Sequence, residues 1–179
     1  MTGGPQPIVI PRQYSIAPAA PSDVPDLHAL VRALAEYEKL GHACVSTDAD
    51  LADALFGIQP AAEALIARRT QNPAHAAGFA LFFYTFSTFL GRRSLWLEDL
   101  FVRPEDRGAG LGGALLVTLA RLACERGCGR FEWAVLDWNA PALRFYESIG
   151  ATVMPDWRIA RVTGVALAQL ADGSCRRRL

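Results

Sequence analysis

The stretch from Ser94 to Gly113, SLWLEDLFVRPEDRGAGLGG, restricts the fold more than any other part of the chain. Leu95, Trp96, Leu97, Leu100, Phe101 and Val102 read as a strand. Arg103-Pro104-Glu105-Asp106 ends it, because proline has no amide to give to a ladder and fixes its own backbone. Arg107-Gly108-Ala109-Gly110-Leu111-Gly112-Gly113 then leads into an apolar helix. A strand, a glycine-rich loop and a helix start make an anion site. The first helical amides lack internal partners, the helix dipole favours negative charge, and glycine admits close approach. The element is read as a pyrophosphate cradle, although a loop of this kind is equally a tight turn by itself. It is not a Walker loop, which needs Gly-Lys-Ser/Thr, nor a dinucleotide fingerprint placed after the first strand of a βαβ unit.

Glu98 and Asp99 sit within that strand, where a charge is costly unless paired or wet. Consecutive strand residues point to opposite faces, so the two are expected to diverge. Glu98 reads as a base beside a bound cofactor. For Asp99, function weighs the same as the plainer reading, a partner to an arginine or an exposed strand end.

The 179 residues suit one domain. Residues 1–11, with three prolines and two glycines, are expected to be a flexible lead; 12–172 form the domain; 173–179 are a basic tail. Lys plus Arg equals Asp plus Glu, 18 each, which argues against a nucleic-acid or membrane surface. No leader pattern opens the chain, and the apolar run at 79–86 is far short of a membrane span. A cytoplasmic protein is expected. Cys44, Cys124, Cys128 and Cys175 fall in no CxxC or zinc spacing, so they read as free thiols and no metal is expected.

Hydrophobic periodicity supplies the other elements. Residues 14–17 alternate as a first strand. A helix starts at Ser22 or Asp23 and runs to about Glu38, with Leu27, Leu30, Val31, Leu34 and Tyr37 as its buried stripe. Thr47-Asp48-Ala49-Asp50 opens a second helix closed by Gly57. Strands follow over 62–69 and 77–89, the latter apolar throughout and hence covered on both faces. A helix over 110–126, a strand over 131–136 and a helix from Pro141 to Ile149 capped by Gly150 come next. A last pair of strands is expected over 151–154 and 157–163, then a short apolar, helical segment over 164–171. The order is β-α-α-β-β-β-α-β-α-β-β, a mixed α/β layer structure.

Three features then resemble the GCN5-related N-acetyltransferase (GNAT) superfamily in order and spacing: LEDLFVRPEDRGAGLG, a strand ending at Trp138-Asn139, and ALRFYESIGA from Ala142 to Ala151. Further residues resemble its diamine (spermidine/spermine) and thialysine acetyltransferase branch. They are Leu34-Ala35-x-Tyr37-Glu38, Asp50-Leu51-x-x-x-Leu55-Phe56-Gly57, Gly78-Phe79-Ala80, Leu97-Glu98-Asp99 and Trp157-Arg158, covering about 22–171.

The resemblance implies a mostly antiparallel central sheet with helices on both faces, splayed between the two strands that hold acetyl-CoA. It implies direct acetyl transfer from acetyl-CoA, as cosubstrate, to a primary amine of a small diamine, polyamine or lysine-like molecule, and a homodimer. Leu100, Phe101 and Val102 would take the pantetheine arm; Arg107, Gly108, Ala109, Gly110, Leu111, Gly112 and Gly113 the pyrophosphate; Asn139 and Ala142 the other side of the cofactor. Tyr146 matches the acid that protonates the departing thiolate, and Glu98 the acid that receives the amine. Tyr37, Glu38, Asp99, Glu132, Trp133 and Trp157 match acceptor-binding positions. Where the branch continues with further acids, this chain has Lys39-Leu40-Gly41-His42, which favours an acceptor carrying one amine and a carboxylate over a long polyamine. Alternatives are an aminoglycoside, amino-acid or protein-amine acceptor, or a non-catalytic acyl-CoA-binding module.

Overall fold

The computed structural model describes residues 8–174; the outer parts of the expected lead (1–7) and basic tail (175–179) lie outside the described residues. The chain divides into two compact units that meet between Ala134 and Val135.

The first unit is built on one five-stranded sheet in the order β1-β2-β3-β4-β5. Its strands are β1 (Tyr14–Pro18), β2 (Glu63–Arg69), β3 (Asn72–Ser87), β4 (Arg92–Val102) and β5 (Phe131–Trp133). The first three pairings are antiparallel, β2–β3 and β3–β4 as hairpins and β1–β2 across the two helices that separate them, and β4 with β5 is parallel. Helices α1 (Val24–Tyr37), α2 (Asp48–Phe56) and α3 (Leu111–Glu125) complete the unit.

One face of the sheet packs on α1 and α2. Leu27, Leu30 and Leu34 of α1 and Leu55 of α2 close on Ala64, Ile66, Phe79 and Phe101. Each large side chain buried there contributes roughly 2 kcal/mol. The register puts Leu65, Ala80, Phe82 and Leu97 on the opposite face, where Leu65 and Phe82 lie beside Thr118 and Leu122 of α3. Phe79, Ala80 and Phe82 are all essentially inaccessible, as a strand covered on both faces requires. Gly78 lets β3 and β4 approach: a Cβ there would stand 2.6 Å from the Phe101 carbonyl oxygen.

Local chemistry sets the helix ends. The side chain of Thr47 accepts from the Asp50 amide, and the Thr47 amide donates to Asp50 Oδ2 at 2.8 Å, a reciprocal cap for α2. Helix α1 stops through Lys39, whose φ of 62° is left-handed, and Leu40 N–H reaches back to the Ala35 carbonyl at 2.8 Å. The left-handed position is thus taken by a lysine rather than by a glycine.

The second unit contains α4 (Ala140–Ser148) and α5 (Gly164–Ala171). The pair of strands expected over 151–154 and 157–163 does not form, and the strand expected over 131–136 stops at Trp133. Alternation provides a face but not a partner. Among the described residues no ladder takes up the backbone of 151–163.

Candidate active site

The site grows from a break in the β4 ladder. Leu81 pairs with Asp99 and Phe82 with Leu97, so Glu98 has no opposite number and forms a β-bulge. The extra residue changes the strand's parity. Leu97 and Leu100 both remain on the α3 face, and Glu98 and Asp99 come out together on the α1 face. Two observations agree with this. The Trp96 indole N–H donates to Glu98 Oε2 at 2.9 Å across an i, i+2 spacing, and the Glu38 carboxylate of α1 and that of Glu98 both act on Asp99. The expected divergence of the two acids is therefore corrected: period two holds only in an unbroken ladder.

Asp99 ends half-buried, in a recess whose walls are Val31, Leu34 and Ala35 of α1 and Leu40, Ala43 and Cys44 of the following loop. Burial first, then the charges of Glu98 and Glu38, push its carboxyl up from 3.8 to about 6. Glu38, which closes α1, is likewise raised by burial. Among the described residues no cation pairs with Glu38, Glu98 or Asp99. Three carboxylates with no counter-ion among the described residues have the chemistry that suits a cation, and a bound ammonium would draw Asp99 back to the charged form.

Beyond the bulge the sheet opens. Among the described residues only Leu95, Trp96 and Leu97 pair with Phe131, Glu132 and Trp133, and no described strand lies on the β5 side of Leu100, Phe101 and Val102. Such an edge can take an extended arm by backbone hydrogen bonds. Glu132 shares a register position with Trp96 and forms an ion pair with Arg130 at 3.1 Å; Trp133 lies against Phe131, with ring centroids 4.9 Å apart.

The loop at the end of β4 has the form of an anion cradle. Gly108 and Gly110 have φ of 77° and 82°, which a Cβ would strain. Gly110 caps α3 without any side-chain hydrogen bond, leaving the amides of Leu111, Gly112 and Gly113 to a ligand. The half-buried Ala109 lies between the two glycines. A Cβ on Gly108 would meet nothing within 4 Å, so its surroundings are open. These residues and the free strand edge fit acetyl-CoA: the loop for its pyrophosphate, the edge for its pantetheine arm. Arg107 donates from Nε to the Val102 carbonyl at 2.9 Å, and its guanidinium carbon lies 4.8 Å from the Tyr37 ring centroid and 5.5 Å from that of Phe101. Tyr37 therefore stands against the loop as well as at the end of α1.

In the second unit, Asn139 caps α4 by accepting from the Ala142 amide at 3.4 Å, which ties together the two positions expected on the cofactor's far side. Tyr146 is half-buried on α4, its ring 5.7 Å from that of Phe145. Trp157 lies on no strand or helix and is 76% exposed. Sequence reasoning missed the Leu40–Cys44 wall, because nothing in its pattern marks a loop that folds back. It also missed the buried Asp106, which lies one residue before the cradle and resembles any other turn acid.

Comparison with known proteins bears on this geometry. Residues 25–151 match the Acetyltransferase (GNAT) family. An L-ornithine N5-acetyltransferase of Arabidopsis thaliana is 32% identical, over 93% of this chain and 95% of its own length. A thialysine N-epsilon-acetyltransferase of Mus musculus is 36% identical, over 87% and 96%. Among solved structures, an integron cassette protein from the mobile metagenome of V. cholerae superposes with a TM-score of 0.74 at 27% identity, covering 89% of this chain and 98% of its own.

Proposed function

Because this chain belongs to the GNAT family of acetyltransferases, enzymes that draw on acetyl-CoA, we propose that its acceptor is the side-chain amine of a small basic amino acid, of the ornithine or lysine-like kind. The observation that supports this reading is the set of three carboxylates, Glu38, Glu98 and Asp99, uncompensated among the described residues, at the stretch of β4 that leaves its pairing with β5. They suit one ammonium group. The neighbouring Lys39 and His42 disfavour a long polycation and suit a carboxylate at the acceptor's other end. Diamines and polyamines are the weaker substrates on this reading.

The transfer proceeds in a ternary complex. Glu98, directly or through a water, takes a proton from the ammonium, which otherwise has a pKa near 10.4 and no lone pair to attack with. Glu38, Asp99, Tyr37, Glu132, Trp133 and Trp157 hold the acceptor. The amine nitrogen bonds to the thioester carbon as a backbone N–H of Leu100–Val102 stabilises the developing oxyanion. The carbon–sulfur bond breaks, Tyr146 gives its phenolic proton to the thiolate, and the surplus proton on the new amide nitrogen returns through water to the tyrosinate. Arg107 to Gly113 hold the pyrophosphate, and Asn139 and Ala142 the cofactor's other side. Residues 12–172 act as one acetyltransferase domain, since the family match runs across the boundary at Ala134. Val165, Leu167 and Leu170 of α5 are more than half exposed, which supports a homodimer; a cytoplasmic location completes the proposal.

The test is release of free thiol from acetyl-CoA across ornithine, thialysine, lysine, diamines, polyamines and aminoglycosides. Ornithine-like or lysine-like amines should turn over fastest, and spermidine exceeding them would overturn the acceptor assignment. Tyr146→Phe should cut kcat by on the order of a hundredfold or more while acetyl-CoA binding persists. Unchanged turnover would remove Tyr146 from the mechanism.

A further inference from the structure

Four side chains from four separate segments converge behind the glycine loop. The Asp106 carboxylate is 2% exposed and lies immediately before Arg107. Tyr14 of β1 donates its hydroxyl to Asp106 Oδ1 at 2.9 Å. Arg69, the last residue of β2, donates from Nε to the same oxygen at 2.7 Å. His75 of β3 meets Oδ2 at 2.8 Å through Nε2. The lead segment joins them: Pro11 accepts from the Tyr14 amide at 2.9 Å, and its ring stands 3.9 Å from where a Cβ of Gly110 would be.

This is not a metal centre. His75, Glu105 and Asp106 offer ligand atoms within 4.8 Å of one another, but the Arg69 guanidinium already supplies the positive charge at the carboxylate. Nor is it surface decoration. An exposed ion pair is worth little, whereas a buried carboxylate with three donors, each from a different strand, fixes its own backbone against the sheet. That backbone leads straight into the loop. Asp106 N–H bonds the Arg103 carbonyl at 2.9 Å, and the Asp106 carbonyl receives the Tyr14 hydroxyl at 3.4 Å. The loop beyond has two left-handed glycines and no side-chain cap; Arg107 anchors its start to the Val102 carbonyl, and among the described residues no side-chain hydrogen bond holds Gly108 to Gly113.

We propose that Asp106, held by Tyr14, Arg69 and His75, is the positioning residue of the pyrophosphate loop: it sets the placement of Arg107 and of the first amides of α3 from behind. The proposal rests on the reading that this loop holds the pyrophosphate of acetyl-CoA. Asp106 touches neither substrate. It acts by keeping an intrinsically loose loop in the one shape that meets two phosphates, so its effect should be confined to the part of the donor that carries them.

A truncated donor isolates the effect. S-acetylpantetheine has the reacting thioester and the arm but no pyrophosphate. Asp106→Asn, Tyr14→Phe and His75→Gln are compared with the parent protein on both donors at saturating acceptor. For Asp106→Asn, kcat/KM with acetyl-CoA should fall between roughly tenfold and a hundredfold, mainly through KM, as expected when a binding group is displaced by about an ångström. Tyr14→Phe should show the same pattern to a smaller degree, and His75→Gln, which can still donate to Oδ2, should recover most of the parent value. With S-acetylpantetheine all three should match the parent. Equal losses on both donors would overturn the proposal, leaving Asp106 a general support of the fold. Should Asp106→Asn not fold, Tyr14→Phe alone decides. The underlying reading fails separately: if the parent protein, and Arg107→Ala, used the two donors equally well, the loop would not be the pyrophosphate site at all.

Discussion

Asp99 and Asp106 lie seven residues apart on one ribbon of chain, and their surroundings are opposite. Asp99 is half-buried among apolar walls and two other carboxylates, and its proton is held up to about 6. Asp106 is more deeply buried, yet the hydrogen bonds from Arg69, His75 and Tyr14 outweigh the desolvation that opposes them and keep its carboxyl below the usual value. Burial alone does not tell a site from a support. The donors around the carboxylate do: a satisfied acid holds structure, and an unsatisfied one is set up for a ligand of opposite charge.

The largest expected difference is in stability. Asp106→Leu leaves Arg69, His75 and Tyr14 without their acceptor and should destabilise the protein by about 3 kcal/mol in a denaturant titration. Asp99→Leu should move the other way or not at all. If both destabilised equally, the contrast between the two acids would collapse.

Next in size is the effect on the acceptor. Asp99→Asn should lower kcat/KM for the amine by roughly 30-fold, about 2 kcal/mol, with KM for acetyl-CoA unchanged. Its stability should rise by roughly 1 kcal/mol at neutral pH, since a partly exposed repulsion is relieved. An acceptor KM that did not move would take Asp99 out of the site.

The smallest effect is the pH signature. For Asp99 the folded-state value, about 6, lies above the ordinary 3.8, so between those values the folded chain holds more protons than the unfolded one. Its contribution to stability therefore declines as pH rises through that window. For Asp106 the folded value is depressed, so its contribution is present above the ordinary carboxylate value and is lost as pH falls through the folded one. Acceptor kcat/KM should correspondingly fall below pH about 6 as Asp99 takes up its proton, and Asp99→Asn should flatten that limb. An unchanged limb in the variant would assign it to another group.

Much of this was legible in the residues. The buried stripe of α1 over Leu27, Leu30 and Leu34, the reciprocal cap at Thr47 and the strand–loop–helix at 94–113 are local, and their chemistry stands in consecutive letters; Tyr37, expected in that stripe, is exposed because the helix ends there and its ring turns to Arg107. The expected last strands at 151–163 fail for the converse reason: a strand needs a neighbour, and no run of apolar letters specifies one. The bulge at Glu98 is likewise a property of two strands, visible only in how β3 and β4 pair.

By itself, then, the sequence determined which elements form around the glycine loop and which acids stand near it, because caps, turns and periodicity act over a few residues. Tertiary structure alone decided which way those acids face and what meets them. A one-residue slip against β3 puts Glu98 and Asp99 on the α1 face beside Glu38, and three distant strands bring Tyr14, Arg69 and His75 to Asp106. Solvation and charge depend on what lies across space, and that is how two aspartates on one ribbon come to hold their protons so differently.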